Sequence, residues 1–426
     1  MKKYVVIICT VICMLIASGC ESSINKTDNK PVSSEFIIKN SVVPEMDKPF
    51  GKFKNVEATA DKTSQTINYK DIRAVWISYI DLAPMLTGKS EREFTQAFQT
   101  ACRNVSELGC NTLYIHVRPF GDAVYTSKIF PFSRYITGFA GRQGSFDPLE
   151  IMVNIAHSFK LSVHAWINPL RLETQDSFDE YDDKYLIKQW FESSNGYVCP
   201  VSGDKHLWLD PGYSEVRKLI ADGAAEIAAN YAVDGIHYDD YFYPTTDESF
   251  DRSCYYSAKT DKPLTQWRIE NISLMVKQIY DAVKAVKSDV QVGVSPQGNI
   301  ENNYIYLYAD VKRWAGEPGF IDYICPQIYF GYNNAVKPFL KTMKDWQEIV
   351  ACDKVTLTVG LAVYKTIGTD EEFVSGEGII ARQIADVVSS DSCKGFSLYS
   401  YNSLFSDDPR ANRELYSIKE QIKKFK

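Results

Sequence analysis

Two adjacent acids close the run Asp234-Gly235-Ile236-His237-Tyr238-Asp239-Asp240-Tyr241. In an extended segment the period of two sets Gly235, His237 and Asp239 on one side, and Ile236, Tyr238 and Asp240 on the other. Ile236 and Tyr238 suit a face covered by helices, so Asp239 points the opposite way and Asp240 opens the following loop. Cleaving a glycosidic bond takes two carboxyl groups of this kind, one to protonate the leaving oxygen and one as nucleophile or base. Asp239 is the first choice for one of the two. Consecutive Asp residues cannot face one point without a turn, so Asp240 serves either as the acid, as a group orienting Asp239, or as a substrate contact. Glu301 and Asp122 are the further candidates for the acid. The purely structural alternative has both carboxylates capping backbone N–H groups where strand gives way to loop.

Other chemistry-bearing residues sit at comparable places. His116 and Arg118 end one extended run, Trp166 and Asn168 another, and Gln327, Tyr329 and Tyr401 follow later ones. Arg118 can clamp a carboxylate or sugar hydroxyl, or it can pair with a neighbouring acid. Gln327 is an amide suited to hydroxyl groups. Trp166, Tyr241, Tyr329 and Tyr401 offer faces on which a sugar ring can stack. His116, His164 and His237 lack any H-E-x-x-H or comparable ligand spacing. They read as neutral barrel histidines, with His116 and His237 near substrate, and neither a metal nor a cofactor is expected.

Positioning these groups takes a regular scaffold. Short β-branched runs alternate with amphipathic stretches from Asp71 onward, the pattern of βα units on a parallel sheet. The predicted strands are Ile72–Ser78, Thr112–Phe120, Leu161–Pro169, Gly235–Tyr243, Val290–Pro296, Tyr323–Phe330, Val355–Tyr364 and Gly395–Tyr401. The predicted helices are Glu91–Leu108, Pro148–Phe159, Ser214–Tyr231, Leu264–Val286, Val336–Val350, Ile379–Val388 and Ala411–Phe425, with a poorer one near Tyr304–Trp314. Ser90 followed by Glu93 fits a capping box. Eight such units predict a (β/α)8 TIM barrel, whose chemistry gathers at the C-terminal ends of its strands. An open doubly wound sheet would need a Gly-rich turn after the first strand, and Ser78-Tyr79-Ile80-Asp81 has none.

From Asp71 to about Ser406 the chain resembles the bacterial family-10-like glycosyl hydrolases, a lipoprotein-rich family of TIM barrels. The resemblance lies in Arg73-Ala74-Val75-Trp76-Ile77, His116-Val117-Arg118-Pro119, Ala165-Trp166-Ile167-Asn168-Pro169, the run Asp234 to Pro244, and Pro326-Gln327-Ile328-Tyr329. It implies a glycosidase working near the cell envelope, with peptidoglycan glycan strands among its substrates. The order Asp-Gly-apolar-polar-apolar-Asp is also similar to the fourth strand of α-amylase-like barrels, where the last Asp is the nucleophile; that position is Asp239. Against the chitinase-type run, His237 replaces the middle Asp and Tyr241 stands where the proton-donating Glu would be, a departure that argues against a chitinase-type, substrate-assisted mechanism.

The start of the chain reads as an export signal. Lys2 and Lys3 precede an apolar run, Tyr4 to Ala17, that is too short for a membrane span. Ala17-Ser18-Gly19-Cys20 then resembles a lipobox, so residues 1–19 are expected to be removed and Cys20 lipidated, with the protein anchored to the membrane outside the cytoplasm. Residues 20–70, rich in Ser, Asn, Lys, Thr, Asp and Pro, read as a tether and lead-in, and residues 71–426 as the barrel. With 47 Lys and Arg against 54 Asp and Glu, the chain is a poor partner for nucleic acid. Seven cysteines follow Cys20 without C-x-x-C spacing, and they read as buried thiols. Together these features predict a glycoside hydrolase acting on an oligo- or polysaccharide. Its rivals are a catalytically silent carbohydrate-binding barrel and a metal-dependent deacetylase or other hydrolase.

Overall fold

The computed structural model describes residues 66–424. The signal segment, Cys20 and the tether up to residue 65 lie outside them. Eight parallel strands close into a barrel: β1 (Ile72–Ile77), β2 (Thr112–Arg118), β3 (Ser162–Ile167), β4 (Gly235–Tyr238), β5 (Gln291–Val294), β6 (Tyr323–Ile324), β7 (Thr356–Ala362) and β8 (Cys393–Tyr399). Each lies beside its neighbours in sequence, and β8 returns to β1 through the pairs Ile72–Gly395 to Val75–Leu398. This is the (β/α)8 barrel that the alternation of strand and helix patterns predicts.

Glu91–Leu108, Leu264–Val286 and Ile379–Val388 are helices over the residues their periodicity indicates. Ser90 and Glu93 do form a capping box: the Glu93 carboxylate accepts the Ser90 N–H at 2.9 Å while the Ser90 hydroxyl accepts the Glu93 N–H at 3.3 Å. The weak pattern near Tyr304–Trp314 resolves into two short helices, Ile300–Tyr306 and Val311–Gly316. Tyr308 between them adopts φ +53°, which a right-handed helix cannot accommodate.

Side-chain alternation builds two cores. Val75, Ile77, Leu113, Ile115, Ala165, Ile236 and Tyr238 face outward into the layer shared with the helices. Ile72, Ala74, Trp76, Tyr114, Trp166, Tyr323 and Cys325 fill the barrel interior. So aromatic an interior needs room made for it. A Cβ on Gly235 would come within 2.4 Å of the His164 ring, and one on Gly293 within 2.0 Å of the Tyr323 ring. Glycine at these two positions is a packing requirement.

Two departures from the expected layout matter for function. Strand β4 ends at Tyr238, not Tyr243, because the Asp240 carbonyl accepts the Phe242 N–H at 2.9 Å in a tight turn. A three-stranded antiparallel sheet follows β3, in which His206–Leu209 lies between Arg171–Thr174 and Val198–Pro200. Strands of three or four residues are too short for periodicity to reveal.

At the opposite, N-terminal face, Asp234 accepts the N–H groups of Ile67 and Val163 at 2.6 and 2.7 Å and bonds His157 Nε2 at 2.8 Å. The first acid of the Asp-Gly run is therefore a structural tie, and residues 66–68, read as lead-in, are fastened to the barrel. All seven cysteines of the described residues are free thiols, and only Cys352 is incompletely buried. Among the described residues no helix is long and apolar enough to cross a membrane.

Candidate active site

The floor of the C-terminal mouth is a chain of hydrogen-bonded rings. Trp76 Nε1–H donates to His237 Nε2 at 3.2 Å, so His237 carries its proton on Nδ1 and gives it to the Tyr323 hydroxyl at 2.8 Å. That hydroxyl in turn donates to His164 Nδ1 at 2.8 Å. Burial lowers both histidine pKa values, that of His164 to about 4. They are neutral. Fully buried and bonded on this network, His237 belongs to the floor and not to the substrate surface, a correction to the sequence reading.

Above this floor stand the two carboxyls. Asp239, only 4% exposed, accepts from Trp166 Nε1–H at 2.8 Å and from the Tyr241 N–H at 3.3 Å. Desolvation, then the charge of Asp240, pushes its pKa up to about 8, against the opposing pull of the Arg171 guanidinium. Asp240 is more open. Its Oδ1 accepts from Gln327 Nε2 at 3.0 Å, Gln297 also bonds it, and Gln327 is braced on the Ser295 carbonyl at 3.0 Å. Burial raises its pKa too, while both amides favour the charged form. The two carboxyls are coupled, the charge of Asp240 helping to raise the pKa of Asp239. The turn after Tyr238 is what lets neighbours in sequence do this.

A stack of planar groups forms one wall. The Arg171 guanidinium lies 3.8 Å over the Tyr241 ring and 4.5 Å over Phe120. Trp208 stacks beyond Tyr241 at 6.0 Å, and His206 beyond Phe120 at 5.1 Å. Asp204 fixes the outer rings, accepting Trp208 Nε1–H at 2.9 Å and bonding His206 Nδ1 at 3.0 Å. Arg171, His206 and Trp208 all come from the small antiparallel sheet. The facing wall is a cluster of Tyr329, Tyr364 and Tyr399, with ring centroids 5.9 to 6.0 Å apart. Arg171, Gln297, Trp208 and Tyr399 were not singled out from sequence. The only available signal for Arg171 was the polar tail Asn168-Pro169-Leu170-Arg171.

Several expected site residues lie elsewhere. Arg118 breaks alternation because the pairing register shifts between His116 and Arg118, so that Arg118 sits beside outward-facing Ile167. Its guanidinium lies 4.4 Å over Phe130, and a Cβ on Gly223 of the helix Ser214–Asn230 would meet it at 2.4 Å. It is a buried cation of the barrel–helix layer. Tyr401 packs in the outer core, and its hydroxyl accepts from Asn104 at 2.9 Å. Glu301 is a surface carboxylate paired with Lys337, which lowers its pKa, so it is unsuited to donate a proton. Asp122 is fully buried, with its pKa raised by burial to about 7, and its Oδ1 is turned back onto the Phe120 N–H at 2.8 Å. His116 and Asn168 back the site: His116 stacks at 3.7 Å on Trp166, and Asn168 Nδ2 donates to the Pro119 carbonyl at 2.7 Å. Asp239, Asp240, Trp166, Tyr241, Gln327 and Tyr329 are brought together. Among the described residues no group of three or more His, Cys, Asp or Glu is arranged to hold a metal ion.

A parallel eightfold barrel carrying two buried, neighbouring carboxyls between aromatic walls has the layout of a glycosyl-hydrolase-like barrel. Comparison with known proteins is more specific. The chain belongs to the glycosyl hydrolase-like 10 family, whose model matches residues 71–374. It is 32% identical over 320 residues to the glycosyl hydrolase YngK of Bacillus subtilis, covering 70% of this chain and 61% of that one. It is 31% identical over 346 residues to the glycosyl hydrolase DigH of Escherichia coli K12, covering 72% and 75%. The chain thus spans about six-tenths of the Bacillus relative's length. In fold it is similar to the glycoside hydrolase domain of PgaB from Bordetella bronchiseptica, with TM-score 0.54, 12% identity, and 82% and 98% of the two chains covered. The catalytic domain of a β-amylase from Paenibacillus polymyxa gives TM-score 0.56 at 12% identity over 84% and 99%.

Proposed function

We propose that this protein is a glycoside hydrolase of the bacterial cell envelope that cleaves a glycan strand laid across the barrel mouth, with peptidoglycan glycan as the foremost substrate. The carboxyl pair carries this reading. Two neighbouring carboxyls in different surroundings, one bonded by an indole N–H and the other by two side-chain amides, are the arrangement that acid/base cleavage of a sugar–oxygen bond uses. The environments favour Asp239 as the proton donor, because it is the less exposed of the two and feels the charge of its neighbour. Asp240, held by two amides, is the ionised partner. This exchanges the roles that the resemblance to α-amylase-like barrels implies. Arg171 limits how far both pKa values rise, and the Tyr241–Trp208 stack gives a sugar ring a face to lie on. The Lys2–Lys3 start, the apolar run and Ala17-Ser18-Gly19-Cys20 support export and lipid anchoring, which would hold the barrel near such glycans.

The test is release of new reducing ends from purified cell-wall glycan strands by the wild type and by Asp240→Asn. The expected result is turnover by the wild type and loss of several orders of magnitude in the variant at undiminished strand binding. Binding without turnover by the wild type would instead make this a silent carbohydrate-binding barrel.

A further inference from the structure

In two-carboxylate glycosidases the groups work from opposite sides of the scissile bond, one at the leaving oxygen and the other, directly or through water, at the far face of the anomeric carbon. Here both belong to consecutive residues, whose Cα atoms are only about 3.8 Å apart, and both lie near the same Arg171 guanidinium. Across the mouth, β1 runs out into Ser78-Tyr79, β6 into Gln327-Ile328-Tyr329, β7 into Val363-Tyr364 and β8 into Tyr399-Ser400. These ends present amides, hydroxyls and phenols. Acids in the following loops are already bound to the fold. Asp81 accepts the Ser78 and Asn402 N–H groups at 2.7 and 2.8 Å, Asp370 pairs with Lys365 at 3.0 Å, and Glu372 accepts the Tyr332 N–H at 2.6 Å. Among the described residues, the opposite wall offers the pair a tyrosine cluster in place of a second carboxylate.

We infer that the reaction is substrate-assisted: the enzyme acts on 2-acetamido sugars, whose own acetamido oxygen makes the attack that no carboxylate of the facing wall can make. This rests on the glycosidase reading above. The acetamido carbonyl oxygen forms a bond to the anomeric carbon as the glycosidic C–O bond breaks, and the leaving oxygen takes the proton of Asp239. Ionised Asp240 accepts the acetamido N–H and balances the positive charge of the oxazolinium ring. Water then adds to the anomeric carbon and loses a proton to the Asp239 carboxylate. The ring opens, the acetamido group is restored, and the product keeps its anomeric configuration. The methyl group of the acetamide lies against the Tyr329–Tyr364–Tyr399 cluster, whose Tyr329 is close enough to Asp240 to feel its charge. The sequence departs from chitinase-type spacing, yet the turn at Asp239–Tyr241 reaches the same chemistry with neighbouring residues.

The experiment uses the full chain and two probes. The first is peptide-free glycan strands, either native or chemically de-N-acetylated. The second is a thiazoline analogue of the 2-acetamido sugar, which mimics the oxazolinium ring. The expected result is that de-N-acetylation lowers kcat/KM by at least about 100-fold, that the thiazoline inhibits competitively, and that the first product formed is the retained anomer. Equal turnover of both strand types, or an inverted product, overturns the inference and leaves the glycosidase reading standing. No turnover of either strand overturns both.

Discussion

Replacing Asp239 by Asn should make the protein more stable while abolishing its activity. In the folded chain the Asp239 carboxyl has its pKa pushed from 3.8 up to about 8, first by desolvation and then by the charge of Asp240. Its folded pKa is thus raised above its unfolded one. Between about pH 4 and pH 8 the folded state holds a proton that the unfolded chain has released, so stability falls as pH rises through that window. At about 1.4 kcal/mol per pKa unit, four units set an upper limit near 6 kcal/mol by pH 8. Relaxation around the pair and the effective dielectric of a real protein interior reduce this to on the order of 2 kcal/mol. Asn matches the protonated acid in shape, and its oxygen can still accept the Trp166 Nε1–H that Asp239 accepts at 2.8 Å. The variant should therefore melt with the wild type near pH 4 and gain roughly 3 °C over it by pH 8. Calorimetry across that range, beside product release from glycan strands, checks both halves. A Tm difference that is flat or negative from pH 4 to 9, with turnover preserved, would refute the argument and make Asp239 a backbone cap.

Arg171→Met removes the cation that lowers both carboxyl pKa values. The limbs of the kcat/KM pH profile should accordingly move to higher pH, and an unmoved profile would remove Arg171 from the site. Glu301→Gln should leave turnover within about twofold, because this carboxylate is a surface partner of Lys337; a loss above tenfold contradicts its placement. Tyr401→Phe gives up one part-buried hydrogen bond from Asn104 and should cost about 1 kcal/mol in denaturant titration with KM unchanged. Cys20→Ala should abolish lipid labelling and membrane fractionation, and unchanged labelling would refute lipid anchoring.

Local rules of the chain sufficed for the architecture and for part of the site. Period-two alternation around Gly235–Tyr238 sends Ile236 and Tyr238 to the helix layer and His237 inward, and 3.6-residue periodicity bounds the helix Leu264–Val286. These patterns are legible because burial acts on each residue through the regular geometry of its own element. Adjacent acids at a strand end also named Asp239 and Asp240 as candidates. What alternation could not supply was any break in itself. One register shift after His116 turned Arg118 out of the mouth, and one tight turn after Tyr238 let two neighbouring carboxyls converge. Arg171, His206 and Trp208 reach the site from a sheet of three- and four-residue strands, whose stability comes from packing on the barrel and not from any periodic signal. Protonation was likewise decided in three dimensions. Glu301 and Asp239 are both carboxylic acids in sequence, but one meets Lys337 at the surface and the other meets Trp166 and Asp240 out of water. Desolvation and neighbouring charge set a pKa, and both are properties of what the fold places around a residue, not of the residue's place in the chain.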